Sequence, residues 1–440
     1  MILSLLLCGN AWAGAPSALG VPNSGGAFGG PTQPGAYGLH FTPTAAKSES
    51  AEILLDTATF INFLTIDLDG IDPVSTTGVT PLPYLAATVP WGPVGFGFQV
   101  GVPFGRTGDN PPDSPFRMFT LEGGLIFIES RLSFAVEATE KFTFGAGLRY
   151  GYSILNGSVG MDTGALMHQL LGPPADELIG DPLMEGSRVI KNGGGWGHGF
   201  SLGFQYKPIE RVIFAVAYNS AVATPLTGDM EITPSRDLNL VVKADLVGFW
   251  VYPEEFHVGL SFPVGPVDVH AHAEYIAWGE SSSTLSNLND AYVESEDPVL
   301  SGILAAYGLD DPAALGSFEN IGNQGMQNIL TGGLHVSWKA NDTWTYLAGM
   351  SYAPAAIRPE WVSPANIDFE GFDFRVGAKW TPKPHLEWGF SLDVWKMPMR
   401  DITDSIADPM NPAGLPNTPS GNGDYYSQSN RIGISAKYSF

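Results

Sequence analysis

Apolar and polar residues alternate with a period of two along most of this chain. Val94, Phe96, Phe98, Val100 and Val102 alternate with Gly95, Gly97, Gln99 and Gly101. Phe144, Ala146, Leu148, Tyr150 and Tyr152 alternate with Thr143, Gly145, Gly147, Arg149 and Gly151. The last ten residues put Ile432, Ile434, Ala436, Tyr438 and Phe440 on one parity, with Arg431, Gly433, Ser435, Lys437 and Ser439 on the other. Successive side chains of a strand point to opposite faces, so each stretch predicts a strand with one apolar and one polar face. The same pattern covers 200–206, 212–218, 256–262, 267–275, 334–338, 344–352, 372–380 and 386–394.

The connections between these stretches alternate in length. Reading back from the last strand, 397–426 is long and 381–384 short, then 354–369 is long and 340–342 short. Next, 281–329 is long and 263–266 short, and 234–253 is a long excursion before 207–210, which is short. Finally 157–195 is long, 139–141 short, 105–118 long and 91–93 short. Counting back to a first strand near 53–66 gives about fourteen strands, an even number. A soluble sandwich has no reason to alternate its loops in this way; a transmembrane barrel does, with short periplasmic turns and long external loops. The expected fold is therefore all-β: a transmembrane antiparallel barrel over 51–440, its longest external loops at 157–195, 281–329 and 397–426.

Composition agrees with this. Charged residues make up 15% of the chain, against roughly 25% in soluble domains. Nowhere does an apolar run reach about 18 residues, so no spanning helix is expected. The first stretch, 1–13, reads as a signal peptide, an apolar core followed by Ala11-Trp12-Ala13. The single cysteine, Cys8, falls inside it, which leaves the mature chain without disulfides, zinc-cysteine sites or thiol catalysis. A net charge of -24 excludes nucleic acid, whose phosphates require basic patches. The acidic residues of the loops, among them Glu294, Glu296, Asp297, Asp310 and Asp311, read as solvated loop residues or as cation sites that bridge surface lipopolysaccharide.

Residues 14–50 are rich in Gly, Pro, Ser and Ala and do not alternate, with Phe28 and Phe41 as isolated aromatics. Alone they read as a linker; ahead of a barrel they read as a plug folded into the lumen. The terminal strand resembles that of bacterial outer-membrane barrels, in which the last aromatic, here Phe440, is read by the barrel-insertion machinery. Several stretches further resemble one family, the outer-membrane transporters of long-chain fatty acids and aromatic hydrocarbons. They are Val102-Pro103-Phe104-Gly105, Trp196-Gly197-His198-Gly199-Phe200, Tyr218-Asn219-Ser220 and Tyr275-Ile276-Ala277-Trp278-Gly279. The family's Asn-Pro-Ala in the plug is replaced here by Thr42-Pro43-Thr44-Ala45.

That resemblance implies a fourteen-stranded monomeric barrel in the outer membrane, closed by its N-terminal segment and in contact with lipid and lipopolysaccharide. A hydrophobic small molecule would be captured by external loops and released sideways at a kink in the third strand. The residues offer their own support for the kink, because Gly101 and Pro103 weaken strand pairing; small residues facing the lumen are the other reading. Leu166, Met167, Leu170 and Leu171 form apolar pairs at helical spacing and, with Phe28 and Phe41, are the candidate ligand-binding residues. Asp297-Pro298 predicts the start of a loop helix whose apolar face is Leu300, Ile303, Leu304 and Tyr307, ended by Gly308. Such helices suit either a landing surface or a packed cap. Asp268, His270, His272 and Glu274 share the lumen-facing parity of one strand, where polar residues belong. No catalytic residue, metal or cofactor is expected, and the function expected is passive import of hydrophobic compounds, long-chain fatty acids foremost. A porin for polar solutes and a barrel hydrolase on His270 and His272 are the alternatives.

Overall fold

The computed structural model describes residues 30–111, 113–119, 121–164, 177–235, 239–279, 283–306, 308, 310–311, 318–323, 325–406 and 421–440. Six uninterrupted strands come first: β1 (Glu52–Leu68), β2 (Val74–Trp91), β3 (Val94–Asp109), β4 (Glu122–Thr139), β5 (Phe142–Asp162) and β6 (Glu185–Ile209). Four strands then each run in two segments. They are β7 (Val212–Asn219 and Val222–Thr233), β8 (Leu240–Tyr252 and Glu255–Val264), β9 (Val267–Ile276 and Ser283–Ser295) and β10 (Phe318–Asn323 and Ile329–Lys339). The series ends with β11 (Trp344–Ala353), β12 (Gly371–Lys383), β13 (Leu386–Lys396 and Arg400–Ile402) and β14 (Gly423–Ser439). Neighbours pair antiparallel throughout, and β14 returns to β1 in register from Glu52↔Ser439 to Leu68↔Gly423, closing a fourteen-stranded barrel. Closure leaves no sheet edge, as a hydrocarbon environment requires.

The alternation sorts side chains between lipid and lumen. In β4, Phe127, Glu129, Arg131, Ser133 and Ala135 are buried inside, while Ile128, Leu132 and Phe134 are exposed outside. An exposed apolar face and a buried charged one reverse the order of a soluble sheet, and they follow from lipid outside and protein inside. The short connections, such as Gly92-Pro93, Glu210-Arg211 and Gly265-Pro266, all lie at one end, where Gly92, Arg211 and Gly265 take positive φ to make the tight turns.

At the other end the strands run further than the sequence pattern predicts. β5 continues to Asp162 and β6 begins at Glu185, so both invade the stretch read as the 157–195 loop. Likewise 234–253 contains the outer segment of β8, and 281–329 contains outer segments of β9 and β10. Cross-strand ion pairs such as Lys191–Glu231 join the tips of β6 and β7, while the outer segment of β8 still alternates, with Val247 and Phe249 exposed and Leu246, Trp250 and Tyr252 buried. The loop helix forms as predicted. In α1 (Pro298–Ala306), the Asp297 carboxylate accepts from the backbone of Val299 at 2.7 Å and of Leu300 at 3.2 Å, and Gly308 takes φ +66 after it. Only Leu304 of α1 is buried, and Ile303 is 48% exposed.

Candidate functional site

The lumen is built in two layers. Toward the turn end, residues 30–47 lie against the inner wall. A short turn, Pro43–Ala46, is capped by the Thr42 hydroxyl, which accepts from Thr44 N at 3.3 Å. Two strand glycines make room for this turn: a Cβ on Gly95 would lie 2.2 Å from Ala46 O, and one on Gly145 would lie 2.6 Å from Thr44 N. At Gly95, then, the glycine of the third strand serves close approach. Elsewhere the segment is tied by Ala36 N donating to Glu52 at 2.8 Å and by Tyr37 Oη meeting Ser435 Oγ at 3.0 Å.

The wall facing this segment carries a buried charge network. Glu129 accepts from Arg131 with one oxygen and from Arg149 with the other, both at 2.6 Å. Arg131 also donates to His40 O at 2.6 Å, and Arg149 donates to Ser220 O at 2.6 Å. Glu255 and Glu274 flank His257, each 3.6 Å from one ring nitrogen, and Asn219 donates to Glu255 at 2.9 Å. The ligating atoms of Glu255, His257 and Glu274 lie within 4.8 Å of one another, close enough for a metal. Two of the three also engage Asn219, whose amide donates to Glu255 at 2.9 Å and stands 3.1 Å from His257 Nε2. Burial, then the Arg131 guanidinium, hold His40 at about 3 against its ordinary 6.5.

The face considered for metal or acid–base chemistry is dispersed among separate partners. Asp268 pairs with Arg211 at 2.7 Å, His270 meets Thr32 Oγ1 at 3.5 Å, His272 stacks on His335 at 5.0 Å, and Glu274 faces His257. Phe41 is buried edge-on to His40 and His257, on the charge network rather than in an apolar site. Phe28 and Leu166, Met167, Leu170 and Leu171 lie outside the described residues.

Toward the loop end the lumen becomes apolar and aromatic. Tyr252 stacks on Phe127 at 4.1 Å and on Phe104 at 5.3 Å, and Trp278 meets Phe104 edge-on at 5.5 Å. The loop between β11 and β12 folds in over them. Its Ile357, Val362, Ile367 and Phe369 join the same buried cluster, and Asp368 holds it by accepting from Arg400 at 2.8 Å and from the backbone of Ile357. Burial raises the Asp368 carboxyl above its ordinary range even with Arg400 opposing. The interruptions of β7 to β10 all fall beside this layer: Ser220-Ala221, Pro253-Glu254, 277–282 and 324–328.

Gly101 and Pro103 stand at its flank. Pairing of β3 with β4 slips between Gly101 and Phe104, which leaves Val102 and Pro103 without ladder partners. Pairing of β2 with β3 runs only from Leu85↔Val100 to Trp91↔Val94. Beyond that point β2 continues on β1 and β3 continues on β4, so no ladder joins β2 to β3. Sequence reasoning named Phe104 and Trp278 only as parts of family-like motifs and missed Phe127 and Tyr252. A signal for Phe127 did exist: it shares the parity of Glu129 and Arg131, an aromatic placed on a lumen-facing row.

No protein-family model matches the chain, and no curated protein matches it in sequence. Solved structures do match in fold. A FadL homologue of Pseudomonas aeruginosa superposes with TM-score 0.74 at 15% identity, over 95% of this chain and 98% of that one. The toluene transporter TodX of P. putida gives TM-score 0.67 at 16% identity, over 95% and 99%. The chain has the FadL/TodX barrel fold. A third example, the toluene transporter TbuX of Ralstonia pickettii, gives TM-score 0.64 at 14% identity, over 94% and 97%. This FadL-type barrel, closed and even-stranded with an apolar outer face, belongs in the bacterial outer membrane.

Proposed function

We propose that the protein carries hydrophobic molecules across the outer membrane by binding and diffusion, with no chemical step. The observation that carries this reading is a coincidence of place. Phe104 belongs both to the aromatic stack inside the lumen and to the stretch of β3 where the wall has no ladder to β2. A ligand held on that stack has apolar surface on its lumen side and an unpaired seam beside it, so it leaves sideways into lipid rather than through the polar turn end. The N-terminal segment is the plug in this reading, blocking the straight path. Long-chain fatty acids are the ligand class expected from the sequence. The names of the similar structures add toluene, and aromatic walls suit chains and rings alike.

Conductance of the refolded barrel in a planar bilayer, with and without residues 14–50, tests this directly. The intact protein should be nearly silent, and the deletion should conduct steadily. A large steady current from the intact protein would mean an open porin for polar solutes.

A further inference from the structure

The aromatic layer holds donors that nothing accepts. Trp250, on the same strand face as Tyr252, is 5% exposed, and Trp278 is 3% exposed; neither indole Nε1 has a hydrogen-bond partner among the described residues. An indole nitrogen can only donate, and its desolvation stays uncompensated until an acceptor reaches it.

The hydroxyls nearby are already committed. Thr224 Oγ1 donates to Trp250 O at 3.2 Å, and Ser153 Oγ donates to Thr224 Oγ1 at 2.9 Å. With the serine proton spent, the 2.9 Å contact between Ser153 Oγ and Tyr252 Oη has the phenol donating. Each proton of this chain is used, so the hydroxyls have no donor left for a ligand, whereas the two indoles do.

Four basic side chains toward this end are committed too. Arg117 pairs with Glu185 at 3.1 Å, Arg400 with Asp368 at 2.8 Å, Arg358 with Glu360 at 3.4 Å and Lys191 with Glu231 at 2.5 Å. At these four, a carboxylate ligand would have to break a formed ion pair to find its counter-charge. A neutral oxygen would not.

We infer that the preferred ligand is an uncharged hydrophobic molecule with a hydrogen-bond acceptor, such as a ketone, aldehyde or ester. Its apolar part lies against the Phe104 side of the stack, and its oxygen accepts from Trp278, with Trp250 as the second donor. This rests on the channel reading above and narrows its ligand from hydrophobic molecules in general to one chemical class.

Acetophenone and ethylbenzene share a skeleton and differ at one position, carbonyl against methylene. Their binding to the intact, detergent-solubilised barrel is measured by titration calorimetry with empty-micelle partition subtracted, beside decanoate as the anionic probe. Acetophenone should bind about 5- to 10-fold more tightly than ethylbenzene, the worth of one buried neutral hydrogen bond. In Trp278→Phe that ratio should fall toward one, and in the double variant with Trp250→Phe it should vanish. Ring packing lost on substitution affects both ligands and cancels in the ratio. The carbonyl stretch of bound acetophenone supplies a second reading: it should shift to lower frequency in the native protein and return in Trp278→Phe. An unchanged ratio in the variants, or decanoate binding more tightly than acetophenone, overturns the inference and leaves the channel reading standing. Failure of all three probes to bind removes both.

Discussion

Glu129 spends both carboxylate oxygens on two buried guanidiniums, and one of those, Arg131, reaches on to the backbone of His40. Removing one partner of a buried ionic set strands the others in low dielectric, which costs about 3–5 kcal/mol. Glu129→Ala should therefore lower the unfolding free energy of the barrel by about that amount, read from the urea midpoint at unchanged slope. His40 gives a pH dependence of definite sign. Its folded value of about 3 lies below the ordinary 6.5, so between these pH values the detached segment binds a proton that the docked segment does not. Docking is at full strength above about 6.5 and weakens as pH falls toward 3, by at most about 1.4 kcal/mol per unit. Bilayer conductance should rise between pH 7.5 and pH 5, and His40→Asn should flatten the rise; an equal rise in both proteins would refute this.

Among the elements, β3 has two tasks. Its first half pairs on both sides and seats the N-terminal segment through Gly95, while its second half, past the slip at Gly101, pairs only with β4. Deleting Pro103 alone, so that Val102 faces Ile128, should restore a continuous ladder, leave the heat-modifiable gel shift of a folded barrel intact and reduce uptake of labelled ligand by at least about tenfold. Undiminished uptake would detach transport from the seam. Strands and short turns were legible in the sequence because lipid and lumen impose opposite demands on alternate residues, and each strand records them alone. Glycine and proline chemistry offered a kink at Gly101 and Pro103 beside the reading of small lumen-facing residues, and the slip in pairing falls between Gly101 and Phe104. The aromatic layer was not legible. Phe104, Phe127, Tyr252 and Trp278 come from different strands, each supplying one or two inward side chains at that height, and only the inter-strand registers bring them together. The tips of β6 and β7 escaped for the converse reason, since their facing residues include charges such as Lys191 and Glu231.

At the scale of the whole molecule, what counts is how the cylinder is joined. Phe440 is 74% exposed beside Tyr438 at the turn end, and its backbone N–H donates to Ala51 O at 2.9 Å. Its ring contributes little to the folded wall, so Phe440→Ala should leave the unfolding midpoint of refolded protein within about 0.5 kcal/mol of native. The same substitution should sharply cut the amount assembled in cells, measured by quantitative blotting of outer membranes. A matched fall in both would make the residue merely structural. Lys437 reaches Glu52 across 385 positions, so the contact that seals the wall joins nearly the first residue of the barrel to nearly the last. A wall built without β14 would keep two open edges, on β1 and on β13, each a template for pairing with another chain.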